Sequence, residues 1–148
     1  MRSLVRSIGI AGGILVLAGV HNASAQIADT VEFTTSFPFT VGYASVPAGS
    51  YTIKPDNDNP DFLELTGPHT AVLFQTHNAE ARETPPKSEV VFKRYGNGYV
   101  LKDIWVEGST QGAETMDVES ERHLAKRSGA AGEQRVAGLK QSTTSSSR

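Results

Sequence analysis

Asp56-Asn57-Asp58-Asn59-Pro60-Asp61 sets oxygen ligands at alternate positions, as calcium-binding loops do. Such a loop calls for glycine at its sixth place and glutamate at its twelfth, where this chain has Asp61 and Gly67. An acidic turn is therefore expected there, without a metal. His69, His77 and His123 are too widely spaced for a zinc motif, and no His-Glu-x-x-His pattern occurs. There is no cysteine, which excludes thiol catalysis, redox exchange and thiolate-bound metals. Nucleophilic chemistry has no motif either: Gly-x-Ser-x-Gly and Ser-x-x-Lys are missing, and Gly108-Ser109-Thr110-Gln111-Gly112 reads as a loop after a strand. Gly96-Asn97-Gly98 sits between two strand-like runs, so it is a hairpin turn and not a phosphate cradle. No catalytic residue and no cofactor is expected, and the chain is not expected to be an enzyme.

The polar constellation with most to offer lies in that hairpin. A two-residue Asn97-Gly98 loop would set Gly96 opposite Tyr99, Arg94 opposite Leu101 and Phe92 opposite Asp103. One face would then carry Val90, Phe92, Arg94, Leu101, Asp103 and Trp105, with Arg94 and Asp103 as diagonal neighbours. An ion pair buried among Phe and Trp gives up hydration, and it would suit a cavity with aromatic walls and one polar anchor. Arg94, Asp103, Trp105, Phe92 and Tyr51 are accordingly the candidate ligand-binding residues. The plainer alternative is a satisfied structural ion pair at a barrel end.

Strands must position these residues. In Val31–Val41 the odd positions are Val31, Phe33, Thr35, Phe37, Phe39 and Val41, a period of two that sends them to one face. Leaving each phenylalanine in water would forgo roughly 2 kcal/mol, so that face needs a second layer over it. Pro38 donates no hydrogen bond, which predicts an edge or a bulge at that point. Val46-Pro47-Ala48-Gly49 turns the chain into a strand holding Tyr51 and Ile53. Further runs follow at Phe62–Thr66, Thr70–Thr76, Glu89–Tyr95 and Tyr99–Glu107, with Pro85-Pro86 in a connector that no sheet interior accepts. About seven short strands with no helical pattern between them predict an all-β fold, a small antiparallel β-sandwich or barrel. One surface helix is expected at Asp117–Arg127, with early Glu119 and Glu121 and late Lys126 and Arg127 suiting its dipole.

The chain ends differ from this body. Arg2 and Arg6, the apolar run Ile8–Val20 and Ala23-Ser24-Ala25 make a signal peptide with cleavage expected after Ala25. The apolar run is short for a membrane span, which needs roughly 20 residues, so the mature chain is expected to have no transmembrane segment. Residues 26–127 form the β-domain with its helix, and 128–148, small and polar, are expected to be a disordered tail. From Gln26 to Glu121 fifteen Asp and Glu face six Lys and Arg, a net of about −9. From Arg122 to Arg148 six basic residues face one acid, a net of about +5. The acidic body repels nucleic acid, while the basic tail could touch an anionic envelope surface.

Phe33…Phe37-Pro38-Phe39-Thr40-Val41-Gly42, Pro47-Ala48-Gly49-Ser50-Tyr51, Phe92-Lys93-Arg94-Tyr95-Gly96, Trp105 and Glu121-Arg122-His123-Leu124-Ala125 together resemble a family of small, uncharacterised exported bacterial proteins. The resemblance spans most of the mature chain and implies an exported β-rich domain, with no catalytic residue to carry over. The expected function is thus non-catalytic binding or structural contact in the cell envelope or outside it. The alternative is a periplasmic carrier of a small apolar or sugar-like ligand, and in either case the protein is expected to be periplasmic or secreted.

Overall fold

The computed structural model describes residues 27–116, 118–129 and 131–141. The signal peptide expected at 1–25 and the last residues of the chain, 142–148, lie outside the described residues. Among the described residues, ten strands and one helix follow in the order β1 (Thr30–Thr35), β2 (Phe39–Val41), β3 (Ala44–Val46), β4 (Gly49–Pro55), β5 (Phe62–Gly67), β6 (Thr70–Glu80), β7 (Ser88–Tyr95), β8 (Gly98–Trp105), β9 (Gln111–Thr115), α1 (Val118–Ser128) and β10 (Ala131–Gln141). Eight of the strands close an antiparallel barrel in the order β8-β7-β10-β1-β4-β5-β6-β9, with β9 returning to β8. The other two, β2 and β3, form a hairpin that joins β8 through a parallel bridge between Thr40 and Val100.

The period of two in the first strands decides what fills the barrel. Val31, Phe33 and Thr35 of β1 are buried, as are Tyr51 and Ile53 of β4 and Leu63 and Leu65 of β5, while their neighbours in sequence are not. The odd-numbered row does not run on as one strand. Ser36-Phe37-Pro38 separates β1 from β2, so Pro38 lies between strands and is neither an edge nor a bulge residue. Phe39 and Val41 still point inward from β2. Phe33, Phe39, Tyr51 and Phe92 meet in the interior, the Phe39 ring lying 5.1 Å from that of Phe92 and 5.6 Å from that of Tyr51.

Two expectations are corrected by the topology. About seven strands become ten, because β9 emerges from what read as a loop and β2 and β3 break away from their neighbours. The segment expected to be a disordered tail also forms a strand from Ala131 to Gln141. That strand, β10, pairs with β7 on one side and β1 on the other. Little of it is buried beyond Val136 and Gly138, and a Cβ at Gly138 would lie 2.7 Å from Val31 Cγ1, so only glycine lets β1 and β10 approach there. A strand built this way shows little hydrophobic alternation, and its stability comes from ladders on both edges.

The helix falls one residue from the expected start and end, and it lies over β7 and β8. It is not the last element, since β10 follows it.

Candidate functional site

The β7–β8 hairpin turns one residue earlier than expected. Tyr95 pairs with Gly98, leaving Gly96 and Asn97 as the loop, and Gly96 has φ +59°. That is the position a II′ turn reserves for glycine, whereas the expected Asn97-Gly98 loop needs a positive φ at asparagine. Arg94 therefore pairs with Tyr99 and Phe92 with Leu101; a bulge between Val91 and Phe92 then sets Val91 opposite Asp103. The earlier turn moves partners by two and keeps the faces, but the bulge adds one residue to β8 and reverses them beyond Leu101. The expected shared face of Arg94 and Asp103 does not form.

The five candidate residues accordingly part company. Phe92 is fully buried in the core. Tyr51 is buried too, its hydroxyl donating to the carbonyl of Pro47 at 2.7 Å. Arg94 is exposed near the barrel mouth, where its Nε donates to Gly96 O at 2.9 Å and its guanidinium stands 6.0 Å from the centre of the Tyr99 ring. Tyr99 in turn stacks on Phe37 at 3.9 Å, and Phe37 meets Phe92 edge-on at 5.3 Å. These rings stop that end of the barrel. Trp105 lies on the outer side across from Gly112, where an added Cβ would fall 2.4 Å from the indole.

Asp103 is on the outer face, in a charged network that the sequence reasoning missed. It pairs across strands with Glu114 of β9. Loss of hydration, followed by the nearby charge of Glu114, pushes its carboxyl up to about 6, against the opposing pull of Lys102 and Lys93. Glu114 is held low, first by its hydrogen bond to Lys102 and then by His77, whose Nε2 is 2.9 Å from Oε2. Burial opposes the charge on Lys102, but Glu114 and Glu121 outweigh it and the ammonium is held above its ordinary range. Glu121 of α1 reaches Lys93 at 3.5 Å and Lys102 at 3.7 Å, which fastens the helix to the wall. The missed signal was parity. The bulge inserts Lys102 between Leu101 and Asp103, and that one extra residue turns Asp103 outward to join Lys93.

The other chemically suggestive residues take structural places. Asp56–Asp61 is the β4–β5 connection, held by Asp56 N to Phe62 O at 3.0 Å and Asp61 N to Asn59 Oδ1 at 3.1 Å. His69 is exposed beside the β5–β6 turn, and His123 lies 3.9 Å from Glu119 one helical turn away. Among the described residues no three His, Asp or Glu side chains are grouped to hold a metal, and no helix is long and apolar enough to cross a membrane.

Among the described residues, concave surfaces on the wall include the following three. An open groove of about 720 Å³ crosses β10, β1, β4 and β5, with Glu32, Thr34, Ser50, Thr52, Thr66 and Leu139 along it. A more enclosed pocket of about 370 Å³ lies where the β2–β3 hairpin meets β6 and β9. A shallow one of about 420 Å³ separates the β7–β8 turn from the end of α1. Of the five candidates only Tyr51 borders the first, none borders the second, and none borders the third. No protein-family model, curated protein or solved structure matches the chain significantly.

Proposed function

We propose that this protein is an exported, non-catalytic β-barrel domain that works by binding or structural contact, in the cell envelope or outside the cell. The observation that carries the reading is a barrel filled with its own side chains. Phe33, Phe39, Tyr51 and Phe92 occupy the interior with ring centres about 5 to 6 Å apart, and Phe37 with Tyr99 caps one end. A carrier of small apolar ligands needs on the order of 300 Å³ of enclosed apolar space, and here aromatic rings take that place. Contact with other molecules is left to the outer surface, where the concave regions lie. Export is supported by the Arg2/Arg6, Ile8–Val20 and Ala23-Ser24-Ala25 pattern and by the resemblance to small exported bacterial proteins. A domain without cysteine that functions outside the cytoplasm must rely on burial and backbone pairing for its stability.

Native mass spectrometry of the protein purified from the periplasm tests this reading. The expected result is an unliganded mass for a chain starting at Gln26. A co-purifying small molecule would turn the assignment toward the periplasmic carrier, and an uncut chain retained in the cytoplasm would remove export.

A further inference from the structure

Among the described residues four large apolar side chains stand exposed: Tyr43 at 92%, Leu139 at 71%, Leu73 at 56% and Met116 at 50%. Isolated ones are ordinary on any protein surface. Three of these four, however, come from separate stretches of chain to one pocket. Tyr43 in the β2–β3 turn, Leu73 on β6 and Met116 just before α1 surround a hollow of about 370 Å³, together with Phe62 and Phe74. Convergent exposed apolar surface of this kind marks a place of contact.

The backbone around the hollow is also incompletely paired within the sheet. β6 is laddered to β5 from Thr70 to Gln75 and to β9 from Thr76 onward, and Met116 N donates to Gln75 O at 3.0 Å, so the edge without a second ladder runs from Thr70 to Phe74. β3 is laddered to β2 alone. An extended segment laid along the Thr70–Phe74 edge of β6 would find a strand edge for its main chain and the Tyr43–Leu73–Met116 surface for alternate side chains.

Charge selects the occupant. Glu119 lines the hollow, and exposed Asp61 lies beside it, its carbonyl accepting from Thr76 N at 2.9 Å. The domain from Gln26 to Gln141, with α1 and β10 included, carries about −5. An acidic segment or an anionic lipid surface would be repelled, while lysines and arginines flanking apolar residues would be drawn in.

We infer that the seam between the β2–β3 hairpin and β6 is a docking groove for an extended segment of another protein in which apolar and basic residues alternate. This rests on the contact-module reading above and gives that module a surface and a partner chemistry. The probe is a fluorescein-labelled synthetic peptide, Lys-Val-Lys-Phe-Lys-Val-Lys, compared with its Glu-Val-Glu-Phe-Glu-Val-Glu counterpart by anisotropy against the mature protein. The basic peptide is expected to saturate with Kd below about 1 mM, with affinity falling as salt rises, and the acidic one not to bind. Backbone amide shifts of the unmutated protein should move at Tyr43, Leu73–Gln75 and Met116. Leu73→Ser is expected to weaken binding about tenfold, and Glu119→Lys to weaken it severalfold while flattening the salt dependence. Equal binding of both peptides, shifts confined to the β10-β1-β4-β5 groove, or no saturation by about 1 mM would overturn the inference. If the native mass is unliganded and the peptide fails, only the groove is lost; a co-purifying ligand would remove the contact-module reading itself.

Discussion

Between β7 and β1 the wall is closed by β10, which pairs with eight residues of one neighbour and four of the other. Between β6 and β8 the corresponding strand is β9, with five pairs on one side and three on the other, and the β2–β3 hairpin occupies the remainder. The first seam is held by backbone. Its outer side chains are free to be polar, and Arg135 reaches Glu89 at 3.1 Å while Lys140 reaches Asp29 at 3.1 Å. The second seam is held largely by side chains. Phe39, Val41 and Val46 are driven into the core from β2 and β3, while Tyr43 at the tip of the same hairpin is left in solvent. A ladder satisfies every main-chain group it touches and asks little of the side chains. Apolar packing leaves edges and apolar rims behind, and those are the features a partner can use.

Removing β10 should have the largest effect on this contrast. A chain ending at Gly129 loses both ladders at the first seam and exposes the edges of β7 and β1. It is expected to lose more than about 5 kcal/mol, enough to abolish cooperative thermal unfolding by circular dichroism. A truncated chain that melts within a few degrees of the full one would show that β10 is an ornament on the barrel. Next in size is Phe39→Ala in the hairpin plug, expected to cost about 3 to 5 kcal/mol in urea unfolding. A cost below about 1 kcal/mol would mean that the second seam does not depend on side-chain burial.

Asp103 sharpens the comparison through pH. Its carboxyl is pushed up to about 6 in the folded chain from 3.8 in the free side chain. The folded protein therefore holds this proton more tightly than the unfolded one. The group's contribution favours folding below about pH 4 and is lost as pH rises through about 6. Asp103→Asn is expected to stabilise the protein at pH 8 by about 1 kcal/mol after allowance for solvent screening, with the gain gone by about pH 4. A gain that does not change between those values would show that the residue's charge is not what strains the outer face. The smallest effect belongs to the exposed rim. Tyr43→Ser should change stability by no more than about 0.5 kcal/mol in the same urea titration. A larger loss would mean that Tyr43 is part of the plug and not of a contact surface.

Much of the first half of the barrel was legible in residue order. Val31, Phe33, Tyr51, Ile53, Leu63 and Leu65 alternate with polar residues, and local alternation is enough to assign a strand and its buried face. The charge order of Glu119, Glu121, Lys126 and Arg127 likewise marked the helix. The candidate site was poorly legible, because it depended on register. Moving the turn by one residue shifts the partners by two and keeps the faces; the extra residue at Lys102, which no local pattern marks, is what sends Arg94 and Asp103 to opposite faces.

β10 was illegible for a further reason. Its sequence around Gly132, Val136 and Gly138 has little apolar pattern, and its partners on β7 and β1 lie far away along the chain. Long-range pairing supplies what local propensity lacks.

By itself, then, the order of residues determined the all-β character, the buried rows of the early strands and the placing of α1. These follow from short-range periodicity and from the cost of leaving aromatic surface in water. Only the tertiary structure decided that the rings fill the barrel, that 131–141 closes it, and that Tyr43, Leu73 and Met116 share one hollow. Each of those outcomes depends on which distant strands find one another, and neighbouring residues carry no record of that choice.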